Sequence, residues 1–250
     1  MTVLYEARGA VHVLGINRPE RRNAVDRETA AALLEGFQRF EADETARVLV
    51  VTGYGGKAFC AGADLKLLNN DAPSAEGPMG FTRVISPKPL IAAIEGWCVA
   101  GGLEIALCCD MRVAARSARL GCLERRWGVP LIDGGTQRLP RVVGLGRALD
   151  LMLTGRVVET AEALAMGLVD RVVEDGQALE AAIALGESIA AFPFSCVLAD
   201  RMSLLEGIGR PLAEGLALEA RRGMEVLNDA RAGAERFAAG AGRHGEEQPE

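Results

Sequence analysis

Between Val3 and Ile16 the chain alternates along a short period. Val11, Val13 and Gly15 fall on one side and His12, Leu14 and Ile16 on the other, so residues 2–17 are expected to be strands that turn near Gly9. The polar stretch Arg18–Arg22 contains Pro19 and reads as a loop. Asp26 is placed to cap a helix running to about Glu41, with Leu33, Leu34, Phe37 and Phe40 on one face. Continuous apolar runs at Val48–Thr52, before Gly53, and at Leu90–Ile94, after Pro87 and Pro89, predict strands covered on both faces. Asn69–Gly80, rich in Asp, Pro, Ser and Gly, predicts a mobile loop between them. A helical pattern over Gly102–Cys109 leads into a strand over Asp110–Ala115. Strands alternating with helices imply an α/β fold with a parallel sheet.

From Leu145 the pattern turns helical, over roughly 146–153, 160–166, 178–190 and 194–226. Leu204, Leu205, Ile208, Leu212 and Leu216 give the last of these a stripe too apolar to face water, which implies packing on another copy. The organisation expected is a core over 1–190, a helical region over 191–239, and a polar, Gly-rich tail over 240–250 without order.

Composition narrows the classes. A chain of 250 residues that is 49% hydrophobic can bury one α/β core with a small appendage. Net charge is −6 with Lys and Arg scattered, which excludes a basic nucleic-acid surface. No run of 18 apolar residues occurs, so no membrane span is expected. Met1–Glu6 lacks the basic start and apolar stretch of a secretory signal, and the expectation is a soluble cytoplasmic protein. The six cysteines form no Cys-x-x-Cys pair and only His12 and His244 are present, so no metal site is expected and the thiols read as free and buried. With histidine so scarce, proton transfer would fall to carboxylates.

Two turns of small residues carry the candidate chemistry. Phe59-Cys60-Ala61-Gly62-Ala63-Asp64-Leu65 is the first and Gly96-Trp97-Cys98-Val99-Ala100-Gly101-Gly102-Leu103-Glu104 the second. Small residues let main-chain N–H groups approach a ligand, and two such donors aimed at one point hold an oxygen that gains negative charge. Glu104 then follows inside an apolar helix, where an ionised carboxylate is costly to bury unless paired, so it reads either as a salt-bridge partner or as a functional acid. Glu124, beside Arg125 and Arg126, has the look of an ion-paired loop residue. Asp133, before Gly134, has the placement of an Asx-turn residue.

Taken in order, these blocks resemble the crotonase superfamily, the enoyl-CoA hydratase/isomerase family, from about Val3 to Phe237. Ile16-Asn17-Arg18-Pro19 with Asn23-Ala24 is similar to its first CoA-contacting loop, and the two turns to its two oxyanion segments. Gly134-Gly135-Thr136-Gln137-Arg138-Leu139-Pro140 with Leu153-Thr154-Gly155 completes the run. The resemblance implies a spiral of ββα units with a C-terminal helical region that trimerises, giving a homotrimer or homohexamer. It implies an acyl-CoA thioester substrate whose carbonyl oxygen is held by the N–H groups of Ala63 and Gly101. No metal or redox cofactor is implied, coenzyme A entering as part of the substrate. Arg22, Ala24, Ala61, Asp64, Leu65, Lys66 and Phe237 match CoA-contacting positions, although Lys66 also reads as a solvated residue after a turn.

Within the family, hydratases resemble this chain in carrying acids at the positions of Glu104 and Glu124. The implied reaction is syn addition of water to a trans-2-enoyl-CoA, with Glu104 as base and Glu124 as proton donor. An enoyl-CoA or dienoyl-CoA isomerase using Glu104, Glu124 and Asp133 is the competing activity. Another acyl-CoA lyase or hydrolase would share the same oxyanion hole. A non-catalytic crotonase-fold protein stands further off, since both acids and both turns are intact. The chain departs from the family at Ala100, where many hydratases have glycine, over Arg125–Pro130, and after Phe237, where Ala238–Gly242 replaces basic residues.

Overall fold

The computed structural model describes residues 1–67, 69 and 75–240, and the chain divides into two compact units, Met1–Ser188 and the residues from Ile189 onward. The expected mobile loop lies partly outside the described residues, as does all of the tail expected over 240–250 except Gly240.

The first unit begins with the hairpin β1 (Val3–Arg8) and β2 (Val11–Ile16), paired antiparallel about the turn at Gly9. Helix α1 (Arg27–Ala42) starts where Asp26 accepts a hydrogen bond from Thr29 N–H at 2.9 Å, so the cap anticipated from sequence is made. Leu33, Phe37 and Phe40 of α1 are buried, and Leu34 is half-buried against the same core. The chain then runs through β3 (Val48–Gly53), β4 (Ala58–Cys60), β5 (Leu90–Ile94), β6 (Trp97–Val99) and α2 (Gly101–Cys108). It continues as β7 (Met111–Ala115), β8 (Arg119–Gly121) and a 3₁₀ helix over Leu123–Trp127. Next come α3 (Gly135–Val143), α4 (Leu145–Thr154), β9 (Val158–Glu159), α5 (Thr160–Ala165), β10 (Arg171–Val173) and α6 (Ala178–Ala190).

Two sheets result, ordered β1-β2-β3-β5-β7-β10 and β4-β6-β8-β9. In each of the pairs β3–β4, β5–β6 and β7–β8 the chain lays its first strand in the larger sheet and its second in the smaller. From β2 to β10 the larger sheet is parallel, as is the smaller from β4 to β8. Successive turns of chain therefore climb in one direction, the spiral of ββα units. Every residue of β2, β3 and β5 is buried, as continuous apolar runs require of central parallel strands.

Several elements escaped the sequence. Strands β4, β6, β8, β9 and β10 are two or three residues long, too short to develop a period. Helix α3 contains Pro140 and opens on two glycines, both poor helix formers.

In the second unit the helix expected over 194–226 is two helices, α7 (Phe194–Gly207) and α8 (Leu212–Glu225), followed by α9 (Leu227–Ala238). Gly209 adopts φ +83°, and Pro211 supplies no N–H and disfavours helical backbone at Arg210, so the apolar stripe spans a break. Leu204, Ile208, Leu212 and Leu216 are exposed on this unit and Leu205 is half-buried.

Candidate active site

The site is assembled from the two small-residue turns, which touch. An added Cβ on Gly62, whose φ is +92°, would lie 2.8 Å from Ala100 Cβ and 3.0 Å from Gly101 N. One on Gly102 would collide with the carbonyl of Cys60. The glycines are thus demanded by backbone-to-backbone approach. The first turn is aimed by a bridge to Val25, whose N–H donates to Gly62 O at 2.8 Å and whose carbonyl accepts from Asp64 N–H at 2.8 Å. Since successive residues of extended chain present their N–H groups to opposite sides, that of Ala63 faces away from Val25. Gly101 opens α2, whose first N–H groups have no acceptor within the helix. Ala63 and Gly101 both line one cavity of about 580 Å³.

The first turn is braced from beneath. Arg18, buried, pairs with Asp26 at 2.8 Å and Asp64 at 3.3 Å and donates to the carbonyl of Ala24. Asn23, with φ +55°, donates to Ala58 O at 2.6 Å and Tyr54 O at 3.0 Å while its Oδ1 accepts from Arg18 N–H at 2.8 Å. Neither residue was assigned this bracing from sequence. A buried ion triad spanning 46 positions leaves no local signature.

Glu104 lies in the first turn of α2 and projects into the cavity, almost wholly buried. Its Oε1 accepts from the backbone N–H of Gly135 at 2.8 Å and of Asp133 at 2.9 Å, where α3 begins. Among the described residues it makes no salt bridge. Burial pushes the carboxyl up to about 7, and the nearby charges of Asp133 and Glu124 push the same way, while the two N–H donors oppose.

Glu124 also lines the cavity and is buried, yet neither carboxyl oxygen is hydrogen-bonded by another residue among those described. The ion-paired reading of Glu124 is therefore corrected. Arg125 donates to Met152 O at 3.1 Å and Arg126 to Gly155 O at 2.9 Å, because carbonyls around the end of α4 draw both guanidinium groups away. Burial raises the Glu124 carboxyl above its usual range, opposed by its own backbone N–H and by the charge of Arg125.

Asp133 is buried on the cavity wall, but its side chain closes no Asx turn toward Gly134. Oδ1 instead accepts from Met79 N–H at 3.0 Å and from the Thr82 hydroxyl, fifty residues earlier. Pro78 and Met79 complete the lining on that side, and Leu123, Trp127, Val129 and Ile132 make the rest of the wall apolar. Met79, buried and pressed toward Gly101, is a site residue that sequence reasoning missed, since only tertiary contact places it there.

Of the residues matched to CoA contacts, Ala61, Asp64 and Leu65 line the cavity. Arg22, exposed, is tied to it through its carbonyl, which accepts from Ala61 N–H at 3.1 Å. Lys66 is exposed and its backbone N–H donates to Asp64 Oδ1 at 3.1 Å. Ala24 is buried and off the lining, and Phe237 is exposed on α9 of the second unit. His12 is occupied elsewhere, its Nδ1 2.6 Å from the Tyr5 hydroxyl, and His244 lies outside the described residues.

Comparison with known proteins places the chain and its fold in a family. The model of the family described as enoyl-CoA hydratase/isomerase matches residues 6–239. A probable enoyl-CoA hydratase from Rhizobium meliloti is 36% identical over 225 residues, covering 88% of this chain and 87% of that protein. An (E)-benzylidenesuccinyl-CoA hydratase from Thauera aromatica is 36% identical over 86% of this chain and 87% of its own length. A crystal structure of an enoyl-CoA hydratase from Mycobacterium marinum superposes with a TM-score of 0.90 at 38% identity, covering 95% of this chain and 96% of that one. The matched residues include both small-residue turns and both buried glutamates, and the chain belongs to the enoyl-CoA hydratase/isomerase family.

Proposed function

We propose that this chain is an enoyl-CoA hydratase, adding water reversibly to a trans-2-enoyl-CoA to give a 3-hydroxyacyl-CoA. The observation that carries the reading is the contrast between two buried carboxyls on one cavity: Glu104 Oε1 held by the N–H groups of two other residues, Glu124 held by no other residue among those described. N–H donors favour a carboxylate, and their absence favours the neutral acid. Glu104 accordingly serves as base and Glu124 as proton donor.

In the hydration direction, Glu104 takes a proton from the water as its oxygen bonds to the β-carbon. The π electrons of the double bond move toward the thioester, whose oxygen gains enolate charge between the N–H groups of Ala63 and Gly101. Glu124 then gives its proton to the α-carbon, and passage of the proton from Glu104 to Glu124 resets the pair. A base titrating near 7 suits this work, because transfer is most effective when the catalytic group's pKa lies near the working pH. Each oxyanion donor supplies on the order of 3 kcal/mol of transition-state stabilisation. These steps require neither a metal nor a redox cofactor.

The CoA portion extends past Ala61, Asp64 and Leu65, with exposed Arg22 and Lys66 available to phosphates. The exposed leucines of α7 and α8 serve to assemble a homotrimer or homohexamer. Incubation with crotonyl-CoA and its longer homologues tests the activity by loss of the conjugated thioester absorbance. No loss at any chain length, with turnover of a 3-enoyl- or dienoyl-CoA, would replace the hydratase reading by the isomerase one. Gel filtration at the 26.4 kDa monomer position would refute the assembly.

A further inference from the structure

We propose that Asp133 is a positioning residue, a latch that ties the segment Gly77–Thr82 to the loop holding Glu104, rather than the second acid of a proton shuttle.

Three observations meet at this residue. Its Oδ1 accepts two hydrogen bonds from one short stretch of chain, Met79 N–H and the Thr82 hydroxyl, with both Asp133 and Thr82 buried. Its backbone N–H donates to Glu104 Oε1 at 2.9 Å, so the same residue touches the candidate base through its main chain. Its carbonyl accepts from Arg138 Nη1 at 3.1 Å, which fixes the loop from the α3 side. The latched segment is consequential because Met79 bears on the oxyanion turn. A Cβ added to Gly101 would sit 3.0 Å from Met79 Cε, so the thioether lies directly against the donor residue.

Between the two residues bonded to Asp133 the segment is anchored differently. Phe81 stacks face to face on Phe37 of α1, with ring centroids 4.8 Å apart. That apolar contact holds the segment down but does not set its height over Gly101, being non-directional. The two hydrogen bonds to Asp133 are directional and supply the register. A shuttling acid must take up and release a proton at an oxygen facing the substrate. Asp133 Oδ1 is committed as acceptor to two donors that belong to the protein.

Asparagine separates the two roles, since its amide oxygen accepts the same two bonds while it carries no acidic proton. The kinetic arm rests on the acyl-CoA reading above; the exchange arm does not. The experiment compares Asp133→Asn, Asp133→Ala, Thr82→Val and the Asp133→Ala/Thr82→Val double variant, by hydration of trans-2-enoyl-CoA and by amide hydrogen exchange across residues 76–84.

The latch predicts that Asp133→Asn keeps turnover within about fivefold, whereas Asp133→Ala loses roughly tenfold or more through displacement of Met79 and Glu104. Thr82→Val loses severalfold, and the double variant is no slower than Asp133→Ala alone, because both substitutions break one contact. Exchange over 76–84 speeds in Asp133→Ala and stays protected in Asp133→Asn. Asparagine as inactive as alanine, with Thr82→Val at full rate, would overturn the latch in favour of a catalytic acid. Unchanged exchange in Asp133→Ala would overturn it as well. If the unmodified protein hydrates no enoyl-CoA, the hydratase reading falls, and the exchange pattern still decides the latch. Should the alanine variant fail to fold, asparagine and Thr82→Val carry the decision.

Discussion

The backbone N–H of Gly135 donates to Glu104 Oε1 at 2.8 Å, joining the first residue of α3 to the fourth of α2. With the Asp133 N–H on the same oxygen, the carboxyl is oriented by main chain from two neighbouring residues. Glu104 thus reaches its pose without a charged partner, which is why burial carries it up to about 7.

The first prediction concerns pH and rate. A base must be ionised, so kcat/KM should rise with pH through about 7, where Glu104 loses its proton, and fall again once Glu124 loses the proton it must donate. A rate profile flat from pH 5 to 9 would remove Glu104 from the base role.

Stability should respond in the opposite sense. Glu104 has a folded pKa above its unfolded one, so between the ordinary carboxyl range and about 7 the folded state binds the extra proton, and stability falls as pH rises. Glu104→Gln keeps an acceptor for both N–H groups without the charge. Thermal unfolding should show this variant gaining more over the unmodified protein at pH 8 than at pH 5. Equal gains at both values would contradict the assignment.

Glu124→Gln should lower turnover by a factor of about a hundred or more while leaving CoA-thioester binding intact, because it deletes the proton donor without changing shape. The measurement is kcat on crotonyl-CoA beside a binding titration with a saturated acyl-CoA. Full activity would end the two-acid mechanism.

Ala100 occupies φ +55°, ψ −131°, a conformation that costs a residue with a Cβ about 1–3 kcal/mol. Ala100→Gly relieves this strain against an added backbone entropy cost of about 0.5–1 kcal/mol, so the variant should be as stable as the parent or more so. Gly102→Ala, by contrast, drives a methyl into the Cys60 carbonyl and should collapse both stability and rate. Denaturant midpoints decide; a marked loss in Ala100→Gly would mean that the methyl contact is worth more than the strain.

Arg18→Met would leave Asp26 and Asp64 as buried carboxylates without their shared cation, and should destabilise the fold by about 3–5 kcal/mol. Chemical denaturation measures the loss. An effect under about 1 kcal/mol would mean that water reaches the pair, as at surface ion pairs.

Much of the architecture is present in local pattern. The hairpin about Gly9, the capped helix after Asp26, the buried strands β3 and β5 and the helix bearing Glu104 each follow from the period of apolar residues and a single punctuating residue. Strands of three residues or fewer carry no period, and α3 hides behind Pro140 and its glycines. The supposed helix over 194–226 misled because an apolar stripe continued across Gly209 and Pro211.

The sequence by itself determined the chemistry on offer: two glycine-bearing turns that permit backbone approach, and three acids at Glu104, Glu124 and Asp133. Tertiary structure alone decided how those acids differ. Whether a carboxyl meets two N–H groups, none, or a distant hydroxyl depends on chain segments some thirty to fifty residues away. Burial and hydrogen bonding act through space. That is why Glu124, charged-looking beside two arginines, stands unpartnered in the cavity, and why Asp133, a turn residue by its neighbours, reaches across to Thr82.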